Sequence, residues 1–347
     1  MSYQRDFDYD DRIPVALIGA GSHAYRNILP TMTYLPIRLM AICDPDEKKG
    51  AVTAKQYGSN YYSSTVEMYE NEPDLCAVFI SVGPKAHVAL VKEALEAKMH
   101  VWVEKPLSTR ANHIEELIEK RGNQVVVVGL KKAFTPAAVK AKEFINSEKY
   151  GSLRSILASY HMTLPQKGAA VLESDDLPNW LLNGVHPLAF LTEVGGEVEE
   201  VLSYTGESGH GAVLLRFKNK VMGTLHLSSG PMPSAERYDL YAKTWEMNIQ
   251  DQKIEVRRGI PFDYTYSTTY APEGDESGTI VWKAENNLAT LENKALFTQG
   301  IYDECRYFCD CILEKKEPKT GSLEHALHIM KVYEAALLSN GKPVKII

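Results

Sequence analysis

The sequence predicts an α/β protein: an N-terminal Rossmann-type doubly wound parallel sheet, then a C-terminal α+β domain on a large open, mostly antiparallel sheet. Three observations predict this. Over the first third, short wholly apolar runs alternate with amphipathic stretches, the pattern of strands buried on both faces and joined by helices. After about Lys131 the pattern changes to strand-like runs separated by short turns, which reads as hairpin-linked strands with helices on one side. At 347 residues the chain exceeds one ordinary core and suits two domains. Residues 11–131 are assigned to the first and 132–347 to the second.

In chain order, residues 14–18 (P-V-A-L-I) form the first strand and run into glycines. Residues 38–43 are the second strand, ended by Asp44, and 45–57 a helix. Ser64 and Glu67 stand at capping-box spacing before another helix. Residues 75–81 are a third strand, 86–98 a helix with Val88, Val91 and Leu95 on one face, and 100–103 a fourth strand. Residues 109–120 are helical and 124–129 (Q-V-V-V-V-G) are a fifth strand. Right-handed crossovers wind these strands into one domain. Pro30 falls early in the first helix and should shorten or kink it.

In the second domain, 153–160 reads as a strand, 163–180 as a long polar loop, and 183–192 as a helix. Further strands are expected at 198–204, 212–217, 221–227, 238–244 and 253–257, with a hairpin turn at Lys218-Asn219-Lys220. In 221–227, Val221, Gly223, Leu225 and Leu227 share one face. Residues 258–278 read as an excursion loop. Ile301, Cys305, Phe308, Cys309 and Ile312 form one helical stripe, and Leu323, Leu327, Met330 and Leu337 another, capped by Ser322.

Composition narrows the function. Hydrophobic residues make up 44% and charged residues 24%, with net charge −7, values of a globular protein without the basic excess of a nucleic-acid or anionic-membrane binder. No run of 18 apolar residues suggests a membrane span, and residues 1–12 lack a signal-peptide core; a cytoplasmic location is expected. The five cysteines form no disulfide framework. Cys305, Cys309 and Cys311 cluster without a C-x-x-C pair or an evident fourth ligand, so no metal site is expected and they read as small apolar residues on a helix.

Two motifs carry chemistry. Gly19-Ala20-Gly21-Ser22-His23-Ala24 follows the first strand and fits G-x-G-x-x-G/A. Gly19 permits a tight turn, Gly21 lets backbone approach a pyrophosphate, and Ala24 lets helix and strand pack closely. Main-chain N–H groups at the helix start then face the phosphates. Asp44, ending the next strand, suits both ribose hydroxyls and repels a 2′-phosphate, which favours NAD over NADP. The second motif, Glu104-Lys105-Pro106, stands at a strand's carboxyl end, where open α/β sheets bind ligands. A lysine there can hydrogen-bond a substrate hydroxyl and stabilise its developing alkoxide.

Together these segments resemble the glucose-fructose oxidoreductase / inositol dehydrogenase / rhizopine-catabolism (Gfo/Idh/MocA) family. G-A-G-S-H-A, A-I-C-D-P-D, S-V-G-P-K-A-H and V-W-V-E-K-P-L fall in the family's order and spacing, as do V-V-G-L-K-K-A-F-T-P, E-K-Y-G-S-L-R-S-I and the closing helix through S-N-G-K-P-V. The resemblance implies that Ser81, Val82, Gly83 and His87 lie along the nicotinamide side of the cofactor, with Glu104 and Lys105 near its ring. It also implies a sheet that makes a homo-dimer or homo-tetramer interface. His87 reads equally as a helix-start residue without ligand contact.

The chain departs from the family at D-x-G-x-H. Here the stretch is Leu182-Asn183-Gly184-Val185-His186, and Ala189 stands where a second Asp often follows. His186 is the candidate general base, with Asn183 in place of an orienting carboxylate, and Asp175 or Asp176 as a compensating charge. Trp180 reads either as an apolar wall against a sugar face or as a core residue. Lys131 and Lys132 read as substrate contacts or an exposed hinge. The expected function is NAD-dependent hydride transfer with a sugar, inositol or related polyol. The missing carboxylates keep open a non-catalytic dinucleotide-binding regulator, and transient-redox glycoside cleavage is a third alternative.

Overall fold

The computed structural model describes residues 9, 11–147, 151–174, 176–228, 236–259, 278–284 and 294–347. The chain divides into two compact units. One joins the chain up to Phe134 with a later segment ending at Met330; the other joins Thr135 onward with the tail from Lys331.

In the first unit, β1 (Ile13–Ile18), β2 (Ile37–Cys43), β3 (Asn60–Tyr62), β4 (Ala77–Ile80), β5 (His100–Val103) and β6 (Val126–Val128) form one parallel sheet. Its order is β3-β2-β1-β4-β5-β6. The order reverses between β1 and β4, which opens a ligand crevice at their carboxyl ends. Both strands are buried on both faces, hence their unbroken apolar runs. The three-residue β3 was not expected, because N-Y-Y carries no apolar run.

After β1 the chain makes one π-helical turn, Ala24–Ile28, and then α1 (Leu29–Met32). Pro30 has no N–H to give to the preceding turn, and the helix is short as expected. α2 (Glu47–Tyr57) is capped by Asp46, whose Oδ1 accepts from Lys49 N at 3.2 Å. α3 (Thr65–Asn71) has Ser64 at its N-cap, but that side chain makes no capping bond, so the expected capping box is not formed. α4 (His87–Glu96) and α5 (Ala111–Lys120) complete the alternation.

The second unit contains α6 (Pro136–Ile145), β7 (Leu153–His161), α7 (Gly168–Ser174), α8 (Asn179–Gly195), β8 (Val198–Thr205), β9 (Gly211–Phe217), β10 (Met222–Ser228), β11 (Arg237–Ala242), β12 (Trp245–Gln250), β13 (Lys253–Arg258) and β14 (Gly278–Lys283). The remaining elements are α9 (Lys294–Thr298), α10 (Ile301–Leu313), α11 (Leu323–Ser339) and β15 (Val344–Lys345). The second sheet runs β14-β13-β12-β11-β7-β10-β9-β8-β15. It is antiparallel except where β7 meets β10. Expecting consecutive hairpins alone missed that parallel pair: β7 takes its place beside β10 only after the chain has passed through two helices and two strands.

The region expected as a loop at 163–180 holds α7 and the first residues of α8. β12 and β14 were not expected either, and the excursion loop at 258–278 lies almost wholly outside the described residues. Gly223, Leu225 and Leu227 are buried as the alternation requires. One larger correction concerns the tail. α9, α10 and the start of α11, assigned to the second domain, belong to the first unit. Cys305, Phe308, Cys309 and Cys311 share a core with Leu17, Phe79 and Trp102, and the Phe308 ring meets Phe79 edge-on at 5.3 Å. An apolar stripe states that a helix face is buried; it does not name the sheet that buries it.

Among the described residues all five cysteines are free, no group of His, Cys, Asp or Glu could hold a metal ion, and no helix is long and apolar enough to cross a membrane.

Candidate active site

The glycine turn sits where β1 enters the crevice. Gly19 N donates to Cys43 O at 2.8 Å, and its φ of +96° is one that side chains rarely adopt. A Cβ on Gly19 would stand 2.4 Å from Ser81 O and 2.7 Å from Val82 Cγ1. That glycine is therefore required by the approach of the β4 end. At Gly21 the reason differs: a Cβ would meet nothing within 4 Å, so the space over Gly21 is open to a ligand. Ala24 is fully buried against the core, and Ser22 is exposed at the turn.

Asp44 ties the turn to the end of β2. Its Oδ2 accepts from Ala20 N at 2.8 Å and its Oδ1 from Asp46 N at 2.9 Å. Tyr61 OH donates to Asp44 O at 3.1 Å. The carboxylate is thus held rigidly beside the glycine turn. A ribose would use its remaining lone pairs.

Ser81, at the end of β4, is buried, and among the described residues its Oγ has no hydrogen-bond partner. A buried hydroxyl without a partner is costly and marks a place where a bound polar group would satisfy it. Val82 and Gly83 continue this edge. His87 is fully buried, with Nδ1 2.8 Å from Pro106 O and Nε2 3.1 Å from Val82 O. Burial depresses its ionisation, against the pull of the two carbonyls and Glu104, and a neutral ring can donate to only one of them. His87 therefore clamps the Val82 and Pro106 segments together. The resemblance put it along the nicotinamide; its described contacts are all to main chain.

Glu104 and Lys105 follow β5. His23 Nε2 lies 2.8 Å from Glu104 Oε1, and Glu104 Oε2 accepts from Lys105 N at 2.8 Å. Burial opposes the Glu104 charge, yet His23 and Lys105 hold the carboxyl below its ordinary range. Burial pulls the Lys105 ammonium below the ordinary lysine range, against the attraction of Glu104 and Glu304. Sequence reasoning had named His23 and Glu104 separately and missed their pairing. It missed Glu304 altogether. The available signal was an acid between Ile301 and Phe308 on the apolar stripe of α10.

His186 and Asn183 belong to the second unit, on α8. His186 is buried and Asn183 half-buried. Leu182 lies one helical turn before His186 and so shares its face; a carboxylate there would reach the ring, and leucine cannot replace it. Pro187 follows His186 inside the helix and removes the bond that would run to Asn183 O. Ala189 is fully buried. Trp180 is resolved as core: it is fully buried, Nε1 donates to Tyr333 O at 3.2 Å, and the two rings stack at 6.4 Å. The wall reading is corrected accordingly. Gly184 is needed because a Cβ would stand 2.7 Å from that indole. Asp175 lies outside the described residues; Asp176 is exposed and its Oδ2 accepts from Ser174 Oγ at 2.7 Å. Lys131 Nζ donates to Gln299 Oε1 at 3.1 Å.

In the first unit, then, a glycine turn, a rigid acid, an unsatisfied hydroxyl and an acid–lysine pair gather at one sheet edge. A family model described as an oxidoreductase family with an NAD-binding Rossmann fold matches residues 13–131. Over those residues the first unit is similar to the Gfo/Idh/MocA family. Among the curated relatives, an inositol 2-dehydrogenase/D-chiro-inositol 3-dehydrogenase from Lactiplantibacillus plantarum is 26% identical over 187 residues, 49% of this chain and 52% of that protein. The chain spans about half the length of the first curated relatives it matches. Likeness of fold extends further. An oxidoreductase from Agrobacterium radiobacter in complex with NAD+, L-tartaric acid and magnesium is 18% identical with a TM-score of 0.79, over 96% of this chain and 98% of that one. Levoglucosan dehydrogenase in complex with NADH and L-sorbose is 16% identical with a TM-score of 0.78, over 97% and 99%.

Proposed function

We propose that this protein is a member of the Gfo/Idh/MocA family and an NAD-dependent dehydrogenase acting on the CH–OH group of a sugar, inositol or related polyol. The observation that carries the proposal is the crevice edge of the first unit. There the open space over Gly21 and the unsatisfied Ser81 Oγ fit a dinucleotide, and Lys105 is held beside Glu104. Gly19, Gly21, Ser22, His23 and Ala24 would hold the pyrophosphate, Asp44 the adenosine ribose, and Ser81, Val82, Gly83 and Glu104 the nicotinamide half. When bound, the nicotinamide supplies the hydride acceptor or donor. Lys105 hydrogen-bonds the reacting hydroxyl and stabilises its oxygen as the proton leaves. On the second unit, His186 is the candidate general base, with Asn183 orienting its ring. The relatives named for inositol and levoglucosan support a polyhydroxylated substrate, and Asp44 supports NAD over NADP.

The test is NADH appearance with a panel of inositols, sugars and sugar acids, run with NAD and NADP in parallel. Turnover of at least one polyol with NAD preferred is expected. Tight NAD binding with no turnover across the panel would favour the second reading, a non-catalytic dinucleotide-binding regulator, for which Leu182 and Ala189 speak.

The open face of the second sheet supports a homo-oligomer. Leu157, Met222, Tyr204 and Tyr241 point to it in register and are 39–58% exposed. Light scattering is expected to give at least twice the 38.8 kDa chain mass, and Leu157→Arg to reduce it to one chain. A monomeric wild type would remove this interface.

A further inference from the structure

Glu304 is buried to 1% exposure in the first turn of α10. Among the described residues its Oε2 has no hydrogen-bond partner. α10 packs on β5, on β6 and on the turn at Lys131–Ala133 that follows β6. Two anchors fix this placement. Phe308, one turn after Glu304, meets Phe79 of β4 edge-on at 5.3 Å, and Gln299, just before α10, accepts from Lys131 Nζ at 3.1 Å. Glu304 is therefore sealed between the sheet and the residues that leave β5 and β6, among them Glu104, Lys105 and Lys131.

We propose that Glu304 is a positioning residue for Lys105: a carboxyl enclosed beneath the carboxyl ends of β5 and β6 that sets how tightly Lys105 and Lys131 hold their protons. The charges acting on it are Glu104 and Lys105 from the β5 end, Lys131 from the turn after β6, and Asp303 on its own helix. The other elements packed on α10 present Leu29, Met32, Leu296 and Phe297 to the shared core. Burial and Glu104 raise the Glu304 carboxyl well above its ordinary range, while the two lysines oppose this. Glu304 in turn raises both lysines, which burial depresses. A proton leaving Lys105 thus changes the ionisation of Glu304, and the cluster shares the load. Glu304 touches no reacting atom in this scheme. It acts through Lys105, and so rests on the reading of Lys105 as the residue at the reacting hydroxyl.

The experiment reads ionisation in the unliganded protein and needs no substrate. Lysines are acylated briefly across a pH series, and labelling of Lys105 and Lys131 is quantified by peptide mass spectrometry, with exposed lysines such as Lys48 as internal standards. Lysines titrate over the alkaline part of the series, where the raised Glu304 carboxyl ionises; there Glu304→Gln removes that charge and is expected to lower the proton affinity of Lys105 and Lys131 about tenfold, moving both labelling midpoints to lower pH. Glu304→Asp retains the charge at a greater distance and is expected to fall between. Lys131→Met removes a like charge and is expected to move the Lys105 midpoint the opposite way. A purely structural glutamate would change thermal stability without moving the midpoints. An unshifted Lys105 midpoint in whichever Glu304 variant is folded overturns the proposal, and leaves the dehydrogenase reading intact. Shifted midpoints in a protein that turns over no polyol would uphold the cluster and sink that reading instead.

Discussion

Lys105→Met is expected to slow hydride transfer by about 10²- to 10⁴-fold, the usual range for a positioned acid–base group, while NAD affinity stays within about threefold. Met keeps the length and the apolar stem of Lys105, so packing beside β5 changes little. Glu104 retains His23 as its partner at 2.8 Å and is not left as an unpaired buried charge. What disappears is the ammonium at the reacting oxygen. Lys105→Arg separates its two possible contributions, because arginine keeps the charge but does not release its proton. Partial recovery with Arg would assign Lys105 to charge stabilisation; none would assign it to proton exchange. Wild-type turnover should fall at high pH as the lysine deprotonates and its ammonium is lost, at a lower pH than for an exposed lysine because burial depresses it; Lys105→Met should lose that limb. Steady-state rates on the best polyol, with cofactor affinity from NADH fluorescence, check this. A Lys105→Met rate within fivefold of wild type would remove Lys105 from the chemistry.

The two glycines of the turn are expected to fail in opposite ways. Gly19→Ala forces a Cβ to 2.4 Å from Ser81 O at a φ of +96°. The backbone strain costs about 1–2 kcal/mol and overpacking against β4 about 1–3 kcal/mol more. A loss of roughly 2–5 kcal/mol in urea denaturation should follow, with NAD binding lost because the turn is displaced. Gly21→Ala meets no protein atom within 4 Å, so stability should stay within about 0.5 kcal/mol, typical of a substitution away from packing. Its methyl group enters the space proposed for the pyrophosphate, and NAD affinity should fall by at least about tenfold, or 1.4 kcal/mol. Calorimetric titration with NAD reads this directly. Wild-type affinity in Gly21→Ala would show that the pyrophosphate does not lie over that residue.

Much of the first unit was legible because its rules are local. β1 and β4 are wholly apolar since both faces are covered, and the motifs at 19–24 and 104–106 sit at strand ends where any parallel sheet opens. The second unit was less legible. β12 alternates as W-E-M-N-I-Q with Trp245, Met247 and Ile249 buried, yet its polar partners weakened the signal, and the β7–β10 parallel pair depends on a chain path that no short window reveals. Glu304 was passed over for a related reason: an acid, even beside an apolar stripe, reads as solvent-facing until the helix is known to lie on β5 and β6.

By itself the sequence determined the doubly wound first sheet, the glycine turn, Asp44 at the end of β2, and the acid–lysine pair after β5, because periodicity, turn chemistry and spacing along the chain suffice for each. Tertiary structure alone decided that α10 covers the first sheet, that Trp180 is core, that His87 clamps two main-chain segments, and that His23 reaches Glu104. Those outcomes depend on which surfaces meet, a question of packing and burial that local pattern does not encode.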